Sequence, residues 1–204
     1  MAVSSHVATH SQFGKHHRTR IPHFGRAVAY CADTCELLLA GAGEEIFRLS
    51  LERGSFLSPM RAGCSGINVL GVDPTHGMVA AGTSDGDVQC WDPRQRERLG
   101  SCCPFDGLDA DADGAREVTA VRFDKRGLRL AVGLSSGHVA IYDIRRSSPL
   151  RVKDHNFGLP IVDLKFHGND HVVSTDKKII KARPVRWQMI WRVCVVICPM
   201  RALS

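Results

Sequence analysis

Several groups of residues have the types that chemistry requires. The segment Asp109-Ala110-Asp111-Ala112-Asp113-Gly114 places three carboxylates at alternate positions and ends them with a glycine. That is how a calcium-binding loop begins, with alternate side chains turned onto the ion and glycine making the sharp turn. Position 12 of such a loop needs a bidentate carboxylate, and here it is Ala120. The residues from Val118 onward also alternate as a strand where an exiting helix is required. The segment therefore reads as a solvated acidic loop. Cysteines lie at Cys31, Cys35, Cys64, Cys90, Cys102, Cys103, Cys194 and Cys198. Zinc ribbons and knuckles pair their ligands across two residues. Cys31 and Cys35 are separated by three residues, as are Cys194 and Cys198, and the two pairs lie far apart. His6, His10, His16 and His17 could catch a metal adventitiously, but they sit in a polar stretch that reads as a disordered tail. Gly41-Ala42-Gly43 is followed by Ile46 where a dinucleotide loop needs its third glycine. No phosphate loop is present, and no Ser-His-Asp set can be assigned without a fold that gathers it. The expectation is no enzyme, no cofactor and no small-molecule substrate.

The charge pattern points elsewhere. Net charge is +6 over 204 residues. The run Lys15-His16-His17-Arg18-Thr19-Arg20 suits an anionic partner such as RNA or DNA, or a nuclear-import signal. It suits a solvated tail equally well. A second cluster, Arg94-Gln95-Arg96-Glu97-Arg98, carries its own counter-charge and reads as decoration of an outer strand. No run of about 18 apolar residues exists, so no membrane helix is expected. The first twenty residues lack the apolar centre of a secretory signal. The thiols are therefore expected in a reducing compartment, acting as small apolar side chains.

The elements that must position these residues come from a repeat. Apolar runs end at Gly41, Gly82, Gly133 and, in a fourth unit, Ser174, spaced 41, 51 and 41 residues apart. A period near 41 suits a four-stranded propeller blade. Gly82 and Gly133 are each followed four residues later by a glycine, Gly86 and Gly137, which reads as a hairpin turn using positive φ. Short alternating strands follow: Val88-Gln89-Cys90, Val139-Ala140-Ile141 and, in the first unit, Phe47-Arg48-Leu49. Two of them close on an aromatic-acid pair, Trp91-Asp92 and Tyr142-Asp143, the signature of WD repeats. Further strands are expected over 67–72, 118–123 and 161–166. The ten additional residues of the long unit fall in an acidic insertion, 104–116, expected on the surface. The fold class is all-β: a WD40-type propeller of about four blades, not closed on its own.

Several segments resemble the nucleolar protein 10 family of WD40 proteins. They are Ile21-Pro22-His23-Phe24-Gly25-Arg26, Cys90-Trp91-Asp92-Pro93-Arg94, Tyr142-Asp143-Ile144-Arg145, Pro149-Leu150-Arg151-Val152-Lys153-Asp154-His155 and Gly158-Leu159-Pro160-Ile161. The WD pairs are shared by all WD40 proteins; the first and the last two runs are more particular. The resemblance spans about residues 17–181. It implies a nucleolar, nuclear scaffold of small-subunit ribosome assembly that serves processing of the 18S rRNA precursor. Its partners would be other assembly proteins, with pre-rRNA a further candidate and no membrane. No catalytic residue carries over. The alternative is a WD40 adaptor in another nuclear complex, such as chromatin or ubiquitin-ligase machinery. Residues offered for partner contact are Arg18, Arg20, His23 and Arg26 at the start of the first blade, and Lys153, Asp154 and His155 between blades. For His155 a structural role tying strands together competes with contact. The organisation expected is a basic, histidine-rich tail over 1–20, blades over 21–181 and a divergent, non-native segment over 182–204. The fourth unit departs from the repeat, because Arg183 stands where Trp91 and Tyr142 stand in earlier units. An open stack of blades leaves sheet faces and strand edges exposed, so marginal stability is expected.

Overall fold

A computed structural model describes residues 4–12, 14–105, 116–168, 171–185 and 193–196. These residues form four antiparallel sheets and no helix. The first sheet runs β1 (Ser4–Ser11), β2 (Gly14–Cys31), β3 (Glu36–Gly41), β4 (Glu45–Ser50), β5 (Ser55–Arg61). The second runs β6 (Ile67–Val72), β7 (Val79–Thr83), β8 (Val88–Asp92), β9 (Glu97–Cys102). The third runs β10 (Val118–Phe123), β11 (Arg129–Leu134), β12 (His138–Asp143), β13 (Arg151–Asp154). The fourth runs β14 (Asp163–His167), β15 (His171–Thr175), β16 (Ile179–Pro184), β17 (Val193–Val196). Within each sheet the strands follow chain order, as in a propeller blade. Successive sheets touch through their innermost strands, β2 with β6, β6 with β10 and β10 with β14. The first and fourth sheets share no comparable contact among the described residues, so the stack is open.

Alternation decides which face of each strand meets which neighbour. Leu38, Ala40 and Ile46 of the first sheet pack with Ile67, Leu70, Val79 and Trp91 of the second. Val88 of the second sheet packs with Val118, Val121, Leu130 and Tyr142 of the third. Ala131 and Ile141 of the third pack with Ile161 and Leu164. One sheet cannot bury both faces alone, so each blade is stabilised by its neighbours. Two of the repeat glycines serve this packing directly. A Cβ on Gly82 would lie 2.5 Å from Val118 Cγ1, and one on Gly133 would lie 2.7 Å from Ile161 Cγ2. Both positions have room only for hydrogen, because the next blade enters there. Gly86 and Gly137 take φ of 97° and 85° in the β7–β8 and β11–β12 turns. Asp92 and Asp143 cap the turns after their strands, accepting the N–H groups of Arg94 (2.9 Å) and Arg145 (3.0 Å).

Three sequence expectations need correction. Within the segment expected as a tail over 1–20, the described residues Ser4–Ser11 and those from Gly14 onward form a hairpin, in which His6 pairs Arg20 and Thr9 pairs His17. The reason is an alternation hidden among the charges. Val7, Thr9, Thr19 and Ile21 turn inward while Ala8, His10, Arg18 and Arg20 turn outward. Ile21 and Val7 pack on Leu39 and Leu49. Gly41 is also one position out of the glycine register. Ala40 pairs Ala27 as Gly82 pairs Val69 and Gly133 pairs Ala120. Gly41 instead makes room for the Phe24 carbonyl, which occupies the space its Cβ would need. The C-terminal boundary at 181 is too early, since β16 continues to Pro184 and pairs with β17. The register keeps Arg183 in the aromatic's place: Val172 pairs Phe166 and Arg183 just as Leu130 pairs Phe123 and Tyr142. Asp109, Asp111, Asp113 and Gly114 of the acidic insertion lie outside the described residues.

Candidate interaction surfaces

The loop between β13 and β14 is fixed from beneath by a buried polar network. His155 has no exposed surface. Its Nδ1 lies 3.0 Å from Asp176 Oδ2 and its Nε2 lies 2.6 Å from Ser174 Oγ. A carboxylate only accepts, so Nδ1 carries the proton and Nε2 accepts the serine hydroxyl. Asp176 Oδ1 accepts the N–H groups of Lys178 (2.6 Å) and Ile179 (2.7 Å). Burial holds the His155 ring below its ordinary pKa, helped by the charges of Lys181 and Arg183 and opposed by Asp176. Burial works against the charge of Asp176, but the two N–H groups and the His155 ring outweigh it, and the carboxyl stays below the usual range. Lys181 Nζ donates to the His155 carbonyl (2.8 Å), and Arg183 donates to the Asp154 carbonyl (2.6 Å). The arginine in the aromatic's place thus becomes a clamp on the loop.

Ser174, His155 and Asp176 have the connectivity of an acyl-transfer triad. All three are buried, and Ser174 Oγ also lies 3.4 Å from the Lys181 carbonyl. The set ties the loop after β13 to β15 and to the turn that follows it. The three residues form no contiguous motif in the sequence. The signal was a histidine just before an inner strand followed, 19 and 21 residues later, by Ser174 and Asp176. The His155 side chain is fully buried and has no surface to offer a partner. Its neighbours face outward: Lys153 is exposed, and Asp154 is half-buried with Oδ1 accepting Asn156 N–H (2.7 Å). The exposed Phe157 ring lies under Lys178 Nζ (5.4 Å) and Lys181 Nζ (5.9 Å), within cation–π reach.

The other proposed contacts lie on β2. Arg18 and Arg20 are exposed on one face of it. His23 is exposed with its ring tilted on Phe47 at 5.9 Å. Arg26 is half committed, since its guanidinium donates to Asn68 Oδ1 (2.9 Å). Asn68 in turn donates to Glu117 (3.2 Å), making a relay across three blades. Arg26, Asn68 and Thr119 occupy the bulges of β2, β6 and β10, where the register skips one residue. A bulge turns its extra side chain out of the ladder. These three therefore line a space of about 250 Å³ beside the inner strands, with Arg122, Val162 and Asp163. Nothing in the sequence marked this relay, because bulges leave no pattern in a period of two. Among the described residues no group of His, Cys, Asp and Glu could hold a metal, and no helix could cross a membrane.

Residues 2–188 match the family model described as "Nucleolar protein 10-like, N-terminal domain". The chain is 45% identical over 180 residues to Nucleolar protein 10 of Xenopus laevis, covering 86% of this chain and 26% of that protein. It is 41% identical over 192 residues to the Ribosome biogenesis protein enp2 homolog of Schizosaccharomyces pombe, covering 86% of this chain and 30% of that protein. The chain thus spans about a quarter of the length of the curated relatives it matches. A chain in a crystal structure of the mitotic checkpoint complex superimposes with a TM-score of 0.68 at 18% identity, covering 79% of this chain and 48% of that one. That likeness concerns the propeller fold alone. The names of the relatives carry the nucleolus and ribosome biogenesis. The arrangement of the blades and the family match agree: this chain belongs to the nucleolar protein 10 family and carries its N-terminal propeller domain.

Proposed function

We propose that this chain is a non-catalytic scaffold of small ribosomal subunit biogenesis in the nucleolus. Its propeller surfaces hold other assembly proteins, with the 18S rRNA precursor as a further ligand, and it needs no cofactor, membrane or small-molecule substrate. The observation that carries the reading is the use made of the buried polar residues. His155, Ser174, Asp176, Lys181 and Arg183 are spent on fixing one loop, whose outward side offers Phe157, with the exposed Lys153 on the adjoining β13. A rigid loop loses less entropy on binding, which suits a surface that holds partners. The names of the relatives support the setting. Affinity purification of the tagged protein from nuclear extract tests the proposal. Recovery of small-subunit assembly proteins together with 18S precursor rRNA is the expected result. Recovery of chromatin or ubiquitin-ligase components without them would refute it.

A further inference from the structure

A groove of about 320 Å³ runs between the outer strand of the second blade and the third blade. Its floor is apolar, made by Cys90, Leu130 and Tyr142. Burial pushes the Cys90 thiol up to about 11 and the Cys102 thiol up to about 12, so both stay neutral and behave as small apolar groups. One position in its wall carries no side chain. Gly100 pairs Cys90 and faces the third blade, and a Cβ built on it would meet nothing within 4 Å. The walls are aliphatic and exposed: Leu99, which sits in a break of the β8–β9 register, is 52% exposed and Ile144 is 36% exposed. Leu128 extends the patch, since its carbonyl accepts Ile144 N–H (3.1 Å) and its side chain is also exposed.

The rim is cationic. Arg145 and Arg146 line the groove, and Arg98 adjoins Leu99. None of the three forms an ion pair among the described residues, whereas Arg94 on the same edge is tied to Asp33 (3.1 Å). The one carboxylate in the lining, Asp143, is already capping Arg145 N–H. An apolar slot with unpaired arginines at its mouth matches one kind of occupant. We propose that this inter-blade groove binds an extended segment of a partner protein that places aliphatic or aromatic side chains on the floor and Asp or Glu against the arginine rim. RNA fits less well. The exposed walls are branched aliphatic chains, which offer no ring on which bases could stack. The volume is at the low end for ligand pockets and suits a few side chains in place of a whole helix. The proposal stands on the groove alone and does not depend on the ribosomal setting.

Fluorescence anisotropy on the full chain tests it. The probe is a short labelled peptide in which Leu and Phe alternate with Asp and Glu, beside a matched peptide with Lys for the acids. The acidic peptide binds saturably and the basic one does not. Gly100→Trp fills the slot from an open position and weakens binding about tenfold or more. Leu99→Asp, at an exposed site, gives a comparable loss by a separate route. Arg145→Glu with Arg146→Glu reduces association and its salt sensitivity, while Arg53→Glu, in the exposed β4–β5 turn of the first blade, changes nothing. Equal binding by both peptides, or undiminished binding to Gly100→Trp, overturns the proposal. So does a uridine-rich RNA oligonucleotide, or self-association of the chain, that Gly100→Trp abolishes in place of peptide binding.

Discussion

Replacing His155 by alanine removes two side-chain bonds at once. The bond to Asp176 involves a charge and is worth about 1.5–3 kcal/mol; the bond to Ser174 is neutral and worth about 1 kcal/mol. The ring is also fully buried, so its loss leaves a cavity that adds to the cost. Asp176 keeps its two backbone donors, Lys178 and Ile179, so it is not left wholly unpaired. The total is about 3–5 kcal/mol, roughly a fifth or more of the stability of an ordinary domain of about 5–15 kcal/mol. Urea unfolding followed by circular dichroism gives the shift in midpoint at unchanged slope. Ser174→Ala should cost less in the His155→Ala background than alone, because the two share one bond. A midpoint change equivalent to less than about 1 kcal/mol would show that neither bond stabilises the fold appreciably. It would mean that Lys181 and Arg183 hold the loop without the histidine.

Further outcomes follow from the same packing. Gly133→Val drives a side chain into Ile161 and destabilises by about 1–3 kcal/mol, while Gly100→Ala, facing open space, leaves the thermal midpoint unchanged. Arg48→Met strands Glu36, which the guanidinium holds by two bonds of 2.8 and 2.9 Å in a buried site. It should cost about 3–5 kcal/mol, and the double variant Glu36→Leu, Arg48→Met should recover most of that in calorimetry. The depressed pKa of His155 sets a sign for acid. The unfolded ring takes a proton near 6.5 and the folded ring only below it, so stability present above pH 6.5 falls as pH drops. Unfolding midpoints measured from pH 7 to 5 should decline, and His155→Ala should lose that part of the slope.

The blades were legible because burial between sheets leaves a strict signal. Glycine is required where Val118 and Ile161 enter, and an aromatic-acid pair closes each middle unit, so Gly82, Gly133, Trp91-Asp92 and Tyr142-Asp143 repeat. The N-terminal hairpin was missed because four inward side chains, two of them threonine, are spaced among histidines and arginines that dominate the composition. Gly41 misled by one position, since its own constraint is the Phe24 carbonyl and not a neighbouring blade. The departure at Arg183 was visible, but its use was not. Only the paired strands show that its guanidinium reaches the Asp154 carbonyl. The bulge relay through Arg26, Asn68 and Glu117 joins residues up to 91 positions apart and depends on where each strand skips a pair. Sequence spacing does not encode that.

Under the function proposed above, this propeller works as part of a small-subunit precursor particle. Velocity sedimentation of nuclear extract containing the tagged protein tests it most directly. The protein should travel with the large particles that contain 18S precursor rRNA and move to lighter fractions after RNase treatment. A protein that remains in the light fractions, apart from that RNA, would exclude a role within such a particle.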